Sequence, residues 1–529
     1  MDKVSTELRG IVDAILSGTV NTPAELESMK KGLSEKLRLA SLPSNADILG
    51  LATSKEREQL KMLVRKPTRT LSGVAVIAAM TSPAKCPHGV CVPCPGGVGC
   101  EATSPQSYTG REPAAMRAAQ HEFDPYDQVM ARLSQLYELG HPLDKAELII
   151  MGGTMTSRPL GYQHWFVKRC LQAMNDYSRR DLKVKGNEQE GNCHCSLEWR
   201  SFEDVVEANR DSAVRNIGTT FETRPDWCGP EQIEGMLALG ATKVELGVQS
   251  TRDRILETIK RGHSVEDVVQ ANTALREAGL KVGFHMMPGL PGSSPEVDLD
   301  IFDELFMSCN FRPDYLKIYP TLVIEGTELH RMYQRGEYSP LESEEAADLV
   351  SRVKELLPRY VRLQRVQRDI PAHLIAAGVR KSNLRQLASQ RLRDRDKKCQ
   401  CIRCREAGLR GVHEADLEMN HETYEACGAD EHFLSFDGSD DTLVGFLRLR
   451  LGQAARIREL HIYGPMVPIG TRKGGWQHQG YGARLVEAAE GIASSAGYSS
   501  LEITSGIGAR AYYERLGYAL RSPYMTKSL

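Results

Sequence analysis

Three cysteines in one short segment carry the clearest chemistry of this 529-residue sequence. Cys86, Cys91 and Cys94 follow the spacing C-x4-C-x2-C within CPHGVCVPCPGG. Three thiolates on one loop can hold three irons of a four-iron (4Fe-4S) cluster and leave the fourth iron open to a ligand. The alternative is a zinc site whose fourth ligand lies elsewhere in the chain. The spacing alone leaves both interpretations open.

The sequence around these cysteines favours the cluster. An apolar run at 74–80 predicts a strand directly before them, and later apolar runs end in glycines or polar residues. Parallel βα units carry their sites at the carboxyl ends of the strands. Radical S-adenosylmethionine (SAM) enzymes bind SAM there, although their usual spacing is C-x3-C-x2-C. The residues at these predicted strand ends are Gly152, Gly153, Thr154, Glu222, Gln249 and Ser250.

A glycine-containing loop near the C-terminus predicts a second ligand site. The segment QHQGYG at 477–482 opens a predicted helix, and N–H groups at a helix N-terminus bind phosphate. The pattern Q/R-x-x-G-x-G/A is typical of the GNAT acetyltransferases, where it holds the pyrophosphate of coenzyme A. The strand predicted at Glu459–Tyr463 and the pair Tyr512–Tyr513 lie where that fold pairs with pantetheine and protonates the thiolate. The alternative is a capped helix with core tyrosines.

A third cysteine group predicts a zinc knuckle. Cys399, Cys401 and Cys404 are spaced C-x-C-x2-C, and tetrahedral zinc needs one further ligand. His413 and Cys427 are both candidates for that ligand. Unligated thiols are the alternative interpretation.

The charge pattern predicts a binding surface for phosphate. Residues 351–410 contain 17 Lys/Arg and 5 Asp/Glu, a net of +12, whereas the whole chain has a net charge of −2. That overall balance excludes a globally basic nucleic-acid binder. The arginines of 351–410 are spaced so that several fall on one helical face, which predicts contact with a nucleic-acid backbone. A merely solvated face is the alternative.

Length and periodicity predict several domains. No apolar run reaches the roughly 18 residues of a membrane span, and the N-terminus lacks the features of a signal peptide, so a cytoplasmic protein is expected. Six apolar runs alternating with helical patterns predict a partial (βα)6 barrel, followed by a small α+β unit. We expect a helical basic arm that binds tRNA at 1–70, a barrel at 71–350, a basic linker with the zinc knuckle at 351–428, and a GNAT domain at 429–529.

Together these motifs resemble the catalytic subunit of Elongator in its stand-alone archaeal or bacterial form. The resemblance runs from about residue 60 to the C-terminus and includes KCPHGVCVPCPGG, MGGT, ETRPDWC, LGVQS, FHMMPGLPG, ELHIYGPMVP, QHQGYG and YYERLGY. It implies a radical SAM barrel joined to a GNAT domain. It also implies synthesis of the 5-carboxymethyl group on the wobble uridine of tRNA from acetyl-CoA and SAM.

The resemblance assigns roles to single residues. A SAM-derived radical would take a hydrogen from the acetyl methyl group, the carbon radical would add to carbon 5 of the uridine, and thioester hydrolysis would leave the carboxymethyl group. Tyr513, with Tyr512 beside it, would lie near the thioester, and Lys145 would touch acetyl-CoA from the barrel. The acetyl-CoA contacts of the GNAT domain would be Glu459, Leu460, His461, Ile462, Gly480, Tyr481, Gly482 and Ala483.

Partners and rival functions follow from the same residues. We expect tRNA, acetyl-CoA and a reductant for the cluster as partners, while other Elongator subunits are not implied and a homodimer is left open. A protein lysine acetyltransferase with a vestigial barrel is one rival, and it predicts acetyl transfer without iron or SAM. A tRNA-binding module gated by acetyl-CoA is the other rival, and it predicts affinity without a modified nucleoside.

Overall fold

The computed structural model describes residues 3–67, 70, 72–98, 104–177, 201–410, 417–463 and 480–529. The N-terminal residues form helices around a small apolar core of their own, which includes Ile11, Leu26 and Leu60. The second helix begins with a reciprocal cap, in which Thr22 accepts a hydrogen bond from the backbone of Glu25 and the Glu25 carboxylate accepts one from the backbone of Thr22. The helices of this part are α1 Lys3–Leu16, α2 Pro23–Leu37, α3 Asn45–Gly50 and α4 Ser54–Arg57.

A parallel sheet curls into a partial barrel after these helices. Its strand order is β1-β2-β3-β4-β5-β6-β8, and every neighbouring pair is parallel. A short antiparallel pair, β7 with β9, lies beside it. The strands are β1 Ala75–Met80, β2 Lys145–Met151, β3 Arg215–Thr223, β4 Lys243–Gln249, β5 Lys281–Met286, β6 Tyr315–Ile318, β7 Val323–Ile324, β8 Arg362–Arg365 and β9 Ile375–Ala377.

The seventh strand, β8, corrects the expectation for the basic stretch. The sequence pattern predicts a helical face for the arginines of this stretch, but RLQR at 362–365 pairs in parallel with β6, with Arg362 opposite Tyr315. The backbone N–H of Arg362 donates to Asp314, which continues the ladder. Arg362 lines the barrel cavity, where its guanidinium contacts Glu406 at 2.7 Å and the Tyr463 hydroxyl at 2.7 Å. Arg362 thus has partners within the fold, and its contact with tRNA stays a prediction.

Helices cover the outside of the barrel because its outward side chains are apolar. On β4, for example, Val244, Leu246 and Val248 are fully buried. The inward positions are polar instead, so the barrel interior is not the packed apolar core that βα barrels usually have. The covering helices are α5 Pro113–Gln120, α6 Pro125–Glu138, α7 Leu160–Tyr177, α8 Phe202–Arg210, α9 Pro230–Ala238, α10 Asp253–Thr258, α11 Val265–Glu277, α12 Pro295–Met307, α13 Glu328–Gln334 and α14 Ser343–Leu356.

Much of the remaining basic charge is neutralised within the fold. Helix α15, Leu384–Asp394, packs on α14, and Arg391 at its end pairs with Glu344 of α14 at 2.6 Å. Arg395 just beyond α15 pairs with Asp348 and Glu355 of the same helix. Two short helices follow, α16 Ile402–Arg405 and α17 Ala407–Arg410.

The C-terminal residues form a second sheet with one long helix. Its strand order is β10-β11-β12-β13-β14-β16-β15. Strands β13 and β14 pair only through 455–457 and 501–503 and then separate, which leaves one edge of β13 unpaired. The elements are β10 Leu417–Ala426, β11 Ala429–Gly438, β12 Leu443–Leu451, β13 Ala455–Ile462, α18 Tyr481–Ser495, β14 Ser500–Ile503, α19 Arg510–Glu514, β15 Ala519–Arg521 and β16 Tyr524–Ser528.

The two sheets meet at the amino ends of the barrel strands. Arg458 of β13 reaches into the barrel and pairs with Asp314 at 2.7 Å, while it also pairs with Glu431 of β11. The contact is close enough to require glycine at 506, since a Cβ there would lie 2.1 Å from the Ile217 carbonyl oxygen. Within the described ranges, none of the helices combines the length and the apolar composition that a membrane crossing needs.

Candidate functional site

One cavity of about 1500 Å³ joins the cysteine loop to the C-terminal domain. It passes through the polar interior of the barrel, so most residues predicted for the two ligand sites line the same space. Gly152, Ser250, Cys91 and Cys94 are predicted site residues that do not line it. Those that do are Cys86, Lys145, Gly153, Thr154, Glu222, Gln249, Glu459, Leu460, His461, Ile462, Gly480, Tyr481, Gly482, Ala483, Tyr512 and Tyr513.

The cysteine loop holds three free thiols beside basic groups. His88 Nε2 lies 3.0 Å from Cys91 Sγ, and Arg261 Nη1 lies 3.7 Å from the same sulfur. Burial raises the pKa of Cys86 and of Cys94, and the nearby Arg261 opposes that shift at Cys86. Positive groups around thiols stabilise thiolates, which are the form that binds metal.

The spacing of the thiols distinguishes the two cysteine groups. The sulfurs of Cys399, Cys401 and Cys404 all lie within 4.8 Å of one another, whereas Cys86, Cys91 and Cys94 form no such group among the described residues. One tetrahedral zinc ion, with Zn–S bonds of about 2.3 Å, holds its sulfurs that close together. A four-iron cluster binds each thiolate through a different iron and needs them farther apart. The second group therefore fits a single ion, whereas at least one pair of sulfurs on the first loop lies too far apart for one.

The fourth ligand of the second group is not found among the described side chains. Cys427 instead contacts Asn272 Nδ2 at 3.0 Å and Asn310 O at 3.4 Å. His413, the other candidate, lies outside the described residues.

The carboxyl ends of β2 and β4, near the cysteine loop, fit a ligand that donates hydrogen bonds. Gly152 has a φ of 114°, and a Cβ there would lie 2.6 Å from Thr81 Oγ1, so only glycine fits. Gln249 also has a positive φ, of 72°. Its side-chain Oε1 is buried and, within the described part of the chain, has no hydrogen-bond partner. An unpaired buried acceptor is costly unless a ligand supplies the donor, and the amino group of SAM is such a donor.

Glu222 has partners that the sequence did not indicate. Its carboxylate accepts a hydrogen bond from the Tyr108 hydroxyl at 3.0 Å and pairs with Lys317 Nζ at 3.0 Å. Tyr108 follows the cysteine loop in the sequence, so Glu222 ties that segment to the barrel strands.

The barrel interior contains a buried chain of charged residues. Lys317 also contacts Glu245, whose other neighbours are His285 Nε2 at 3.0 Å and Lys243 at 3.3 Å. Lys243 pairs in turn with Glu147 at 3.0 Å. Burial opposes the charge of Glu245, but Lys317 and Lys243 outweigh burial and hold its pKa well below the usual range. The apolar residues of strands such as KVELGVQ hide this chain in the sequence; the signal is the alternation of Lys243 and Glu245 with Val244 and Leu246.

The C-terminal end of the cavity fits coenzyme A. Gly480, with a φ of 87°, caps the N-terminus of α18, whose first residues line the cavity. A Cβ at Gly482 would lie 2.7 Å from the Tyr512 hydroxyl, so a side chain there would displace the ring of Tyr512. The unpaired edge of β13 at 459–462 offers backbone groups for the amides of pantetheine. Gln477 of the predicted phosphate loop lies outside the described residues.

Glu459, at the end of the cavity formed by the C-terminal domain, stays ionised. It accepts hydrogen bonds from the Tyr315 hydroxyl and from Arg448 Nε, the latter at 2.9 Å. Burial opposes its charge, but Lys281 and Arg448 outweigh burial and lower the pKa of Glu459 to about 2. Such a group is a poor base at neutral pH. Burial raises the pKa of Tyr513, so its hydroxyl stays protonated and can act as a donor.

The cavity is strongly positive. Fifteen Lys or Arg and seven Asp or Glu line it, a net of +8. Phosphate groups of coenzyme A and of a nucleic acid are the natural counterions of such a surface. Arg365, Arg368 and Arg403 bring part of the basic stretch to the cavity.

A curled parallel sheet with a three-cysteine loop, joined to a GNAT fold, defines a radical SAM protein with an acetyltransferase domain. Four family models agree: the ELP3 N-terminal domain at 5–71, the Radical SAM superfamily at 83–305, the Radical_SAM C-terminal domain at 313–394 and the Acetyltransferase (GNAT) family at 403–518. The chain belongs to the family of Elongator complex protein 3 and the tRNA uridine(34) acetyltransferases. The predicted family and fold class are thereby confirmed.

Full-length relatives support this assignment. The chain is 45% identical to the tRNA uridine(34) acetyltransferase of Methanocaldococcus jannaschii, over 100% of this chain and 99% of that protein. It is 39% identical to Elongator complex protein 3 of Schizosaccharomyces pombe, over 98% of this chain and 97% of that protein. The solved structure of Methanocaldococcus infernus Elp3 lacking residues 1–46 matches with a TM-score of 0.72 and 41% identity, over 87% of this chain and 100% of that one. The Radical SAM domain implies a 4Fe-4S cluster and SAM, and the GNAT domain fits acetyl-CoA.

Proposed function

We propose that this protein forms 5-carboxymethyluridine at the wobble position of tRNA, with acetyl-CoA as the source of the two carbons. The observation that carries the proposal is the single cavity that connects the cysteine loop with the N-terminus of α18. One shared cavity lets a reactive group formed at one end meet an acetyl group held at the other. The names of two archaeal relatives, tRNA uridine(34) acetyltransferases, point to the same substrate.

Residues at the two ends of the cavity would bind different ligands. When bound, the cluster and SAM supply a 5′-deoxyadenosyl radical; Cys86, Cys91 and Cys94 would hold the cluster. Gln249 would accept a hydrogen bond from the amino group of SAM. At the other end, Gly480–Ala483 would bind the phosphates of acetyl-CoA, while Leu460–Ile462 would pair with pantetheine. Tyr513 would donate a hydrogen bond near the thioester.

Two further assignments belong to this proposal. Cys399, Cys401 and Cys404 would bind zinc, which would brace β8 against the C-terminal domain because Cys401 precedes the helix that contacts β8. The N-terminal arm at 1–70, through its helices α1–α4, and the exposed arginines of 351–428 would contact tRNA. The barrel at 71–350 and the GNAT domain at 429–529 would be the catalytic halves.

A protein lysine acetyltransferase is disfavoured by the same geometry. The acetyl-CoA end of the cavity faces the barrel interior, and Glu459 beside it is held ionised by Arg448 and Tyr315. A protein substrate would need access to that interior and a base to deprotonate its lysine. A tRNA-binding module without catalysis is also disfavoured, because it would not require the cysteine loop or the charged barrel interior.

The test is nucleoside mass spectrometry of tRNA after anaerobic incubation with SAM, acetyl-CoA and a reductant. We expect 5-carboxymethyluridine from the wild type and none from Cys91→Ala, which should also lose the roughly four irons per chain. Cys309→Ala is the matched control, because Cys309 is a free thiol that does not line the cavity. Full iron content in Cys91→Ala, or wild-type turnover that acetylates proteins but not tRNA, would contradict the proposal.

A further inference from the structure

The side chain of His88 lies against one of the cysteines that would hold the cluster. Its Nε2 is 3.0 Å from Cys91 Sγ. The imidazole packs on the backbone at Gly262, where a Cβ would lie only 2.7 Å from the Cβ of His88. Gly262 has a φ of 75°, so both its conformation and this close approach require glycine. The fold therefore holds the His88 ring beside the sulfur.

Arg224 determines which nitrogen of His88 carries the proton. Arg224 Nη1 lies 2.5 Å from His88 Nδ1, and a guanidinium can only donate hydrogen bonds. His88 Nδ1 must therefore accept, and a neutral imidazole that accepts at one ring nitrogen donates at the other. This contact assigns the proton to Nε2, the nitrogen that faces Cys91 Sγ.

Arg224 is itself held in one orientation. Its Nε and Nη2 donate to the two carboxylate oxygens of Asp226 at 2.9 Å and 2.8 Å. Its Nη1 also donates to the Arg261 carbonyl at 2.8 Å, and the side chain is buried. A bidentate pair between guanidinium and carboxylate fixes geometry as well as adding energy. The orientation and the tautomer of His88 are thus set by the protein.

The contacts between side chains and the loop sulfurs are concentrated on Cys91. Arg261 Nη1 lies 3.7 Å from Cys91 Sγ, whereas the side-chain contact of Cys86 is with Thr154 Oγ1 at 3.9 Å. At 3.0 Å, the contact of His88 is the shortest of the three. Hydrogen bonds to the sulfurs are one of the factors that set the potential of an iron–sulfur cluster.

We propose that His88 is a positioning residue that acts through Cys91, donating a hydrogen bond from Nε2 to the Cys91 thiolate and so raising the reduction potential of the cluster. The inference rests on the cluster that the proposed function assigns to this loop. Reduction adds one negative charge, and a hydrogen bond to a ligating sulfur stabilises that charge. The electron comes from an external one-electron reductant, and the proton stays on Nε2.

Two variants of His88 test this. His88→Leu removes the donor, whereas the amide of His88→Gln keeps an N–H at about the reach of Nε2. His373→Leu is the matched control, because His373 is exposed and does not line the cavity. After anaerobic reconstitution, the midpoint potential is measured by redox titration followed by electron paramagnetic resonance (EPR). In His88→Leu the equilibrium constant for reduction should fall about tenfold, a shift of about 59 mV to more negative potential for a one-electron couple. His88→Gln and His373→Leu should stay near the wild type.

A second measurement holds even if His88→Leu loses its cluster. Pulsed EPR of reduced wild type that carries isotopically labelled histidine nitrogen should show one weakly coupled nitrogen, and His88→Leu or His88→Gln should lack it. The inference is overturned if the potential of His88→Leu equals that of the wild type. It is also overturned if the wild type shows no such coupling, or the strong coupling of a nitrogen bound directly to iron.

These outcomes are distinguishable from failure of the proposed function. Wild type that binds the cluster and forms 5-carboxymethyluridine, combined with an unchanged potential in His88→Leu, would leave the proposed function intact. A wild type with the weak histidine coupling but no modified uridine would sustain the role of His88 and refute the product. A wild type that binds no iron would refute both.

Discussion

At the scale of the residue, Tyr513 has the most specific role assigned to one side chain. It is buried at the edge of the cavity beside Tyr512, with ring centroids 5.2 Å apart. Because burial keeps its hydroxyl protonated, it can donate to a thioester oxygen or to a leaving thiolate.

Removing the Tyr513 hydroxyl should impair formation of 5-carboxymethyluridine without impairing cleavage of SAM. We expect Tyr513→Phe to lose most 5-carboxymethyluridine formation while 5′-deoxyadenosine formation remains near the wild-type rate, since the cysteine loop is untouched. Both products are measured in parallel by mass spectrometry. Tyr518→Phe is the control, because the Tyr518 hydroxyl binds Glu490 outside the cavity. If both products persist in Tyr513→Phe, this tyrosine does not handle acetyl-CoA.

At the scale of the element, acetyl-CoA binding at the N-terminus of α18 would depend on backbone N–H groups that no side chain covers. Gly482→Ala should weaken acetyl-CoA binding, because its Cβ would lie 2.7 Å from the Tyr512 hydroxyl and would displace that side chain within the site. Gly491→Ala in the same helix has open space around it and should instead add about 0.5–1 kcal/mol of stability. Calorimetric titration and thermal unfolding of both variants distinguish a binding effect from a folding effect. Equal affinities would remove α18 from the acetyl-CoA site.

Strand β8 carries two arginines whose replacement should have different effects, one mainly on stability and the other mainly on tRNA binding. Arg362→Ala should lower the free energy of unfolding by about 3 kcal/mol, since it leaves Glu406 without its partner in a mostly buried site. Arg365 is half exposed and pairs with the exposed Asp369, so Arg365→Ala should cost less than about 1 kcal/mol. The same change should weaken tRNA binding and flatten its salt dependence. Urea denaturation and filter binding test this pair, and a stable Arg362→Ala variant would contradict the assignment.

At the scale of the whole molecule, buried ion pairs join the two halves. Arg458 spans them by pairing with Asp314 of the barrel and Glu431 of the second sheet, and Glu459 binds Tyr315 across the same junction. Buried pairs of this kind cost desolvation, and breaking one partner is strongly destabilising. They fix the alignment of the two ends of the cavity more than they add net stability.

This junction should weaken in acid. The pKa of Glu459 is about 2 in the fold and about 4.3 in an unfolded chain, so its contribution is complete above pH 4.3 and is lost as the pH falls towards 2. Unfolding measured between pH 6 and pH 2.5 should show this loss. In Glu459→Gln the stability should be lower at pH 6 and should fall less with acid. Glu234→Gln, at an exposed position of α9, should follow the wild type. A Glu459→Gln curve parallel to that of the wild type would refute the contribution.

The sequence by itself determined the six barrel strands, the C-terminal domain and most residues of the two ligand sites. Those features depend on local patterns: apolar runs, glycines after strands and cysteine spacing, each of which acts within a few neighbouring residues. Gly152 and Gly482 could be recognised because each stands in a short local motif, MGGT after a strand and QHQGYG before a helix.

Only the tertiary structure decided how charged residues are used. In the sequence, Arg362 is one of many arginines in a basic stretch. Pairing of β8 with β6 places it beside Glu406, a residue 44 positions away. Lys243, Glu245 and Lys317 read as parts of apolar strands, but curling of the sheet brings them into one buried chain. Whether a charge meets solvent, a ligand or an opposite charge depends on contacts between distant segments, and no local pattern contains that information.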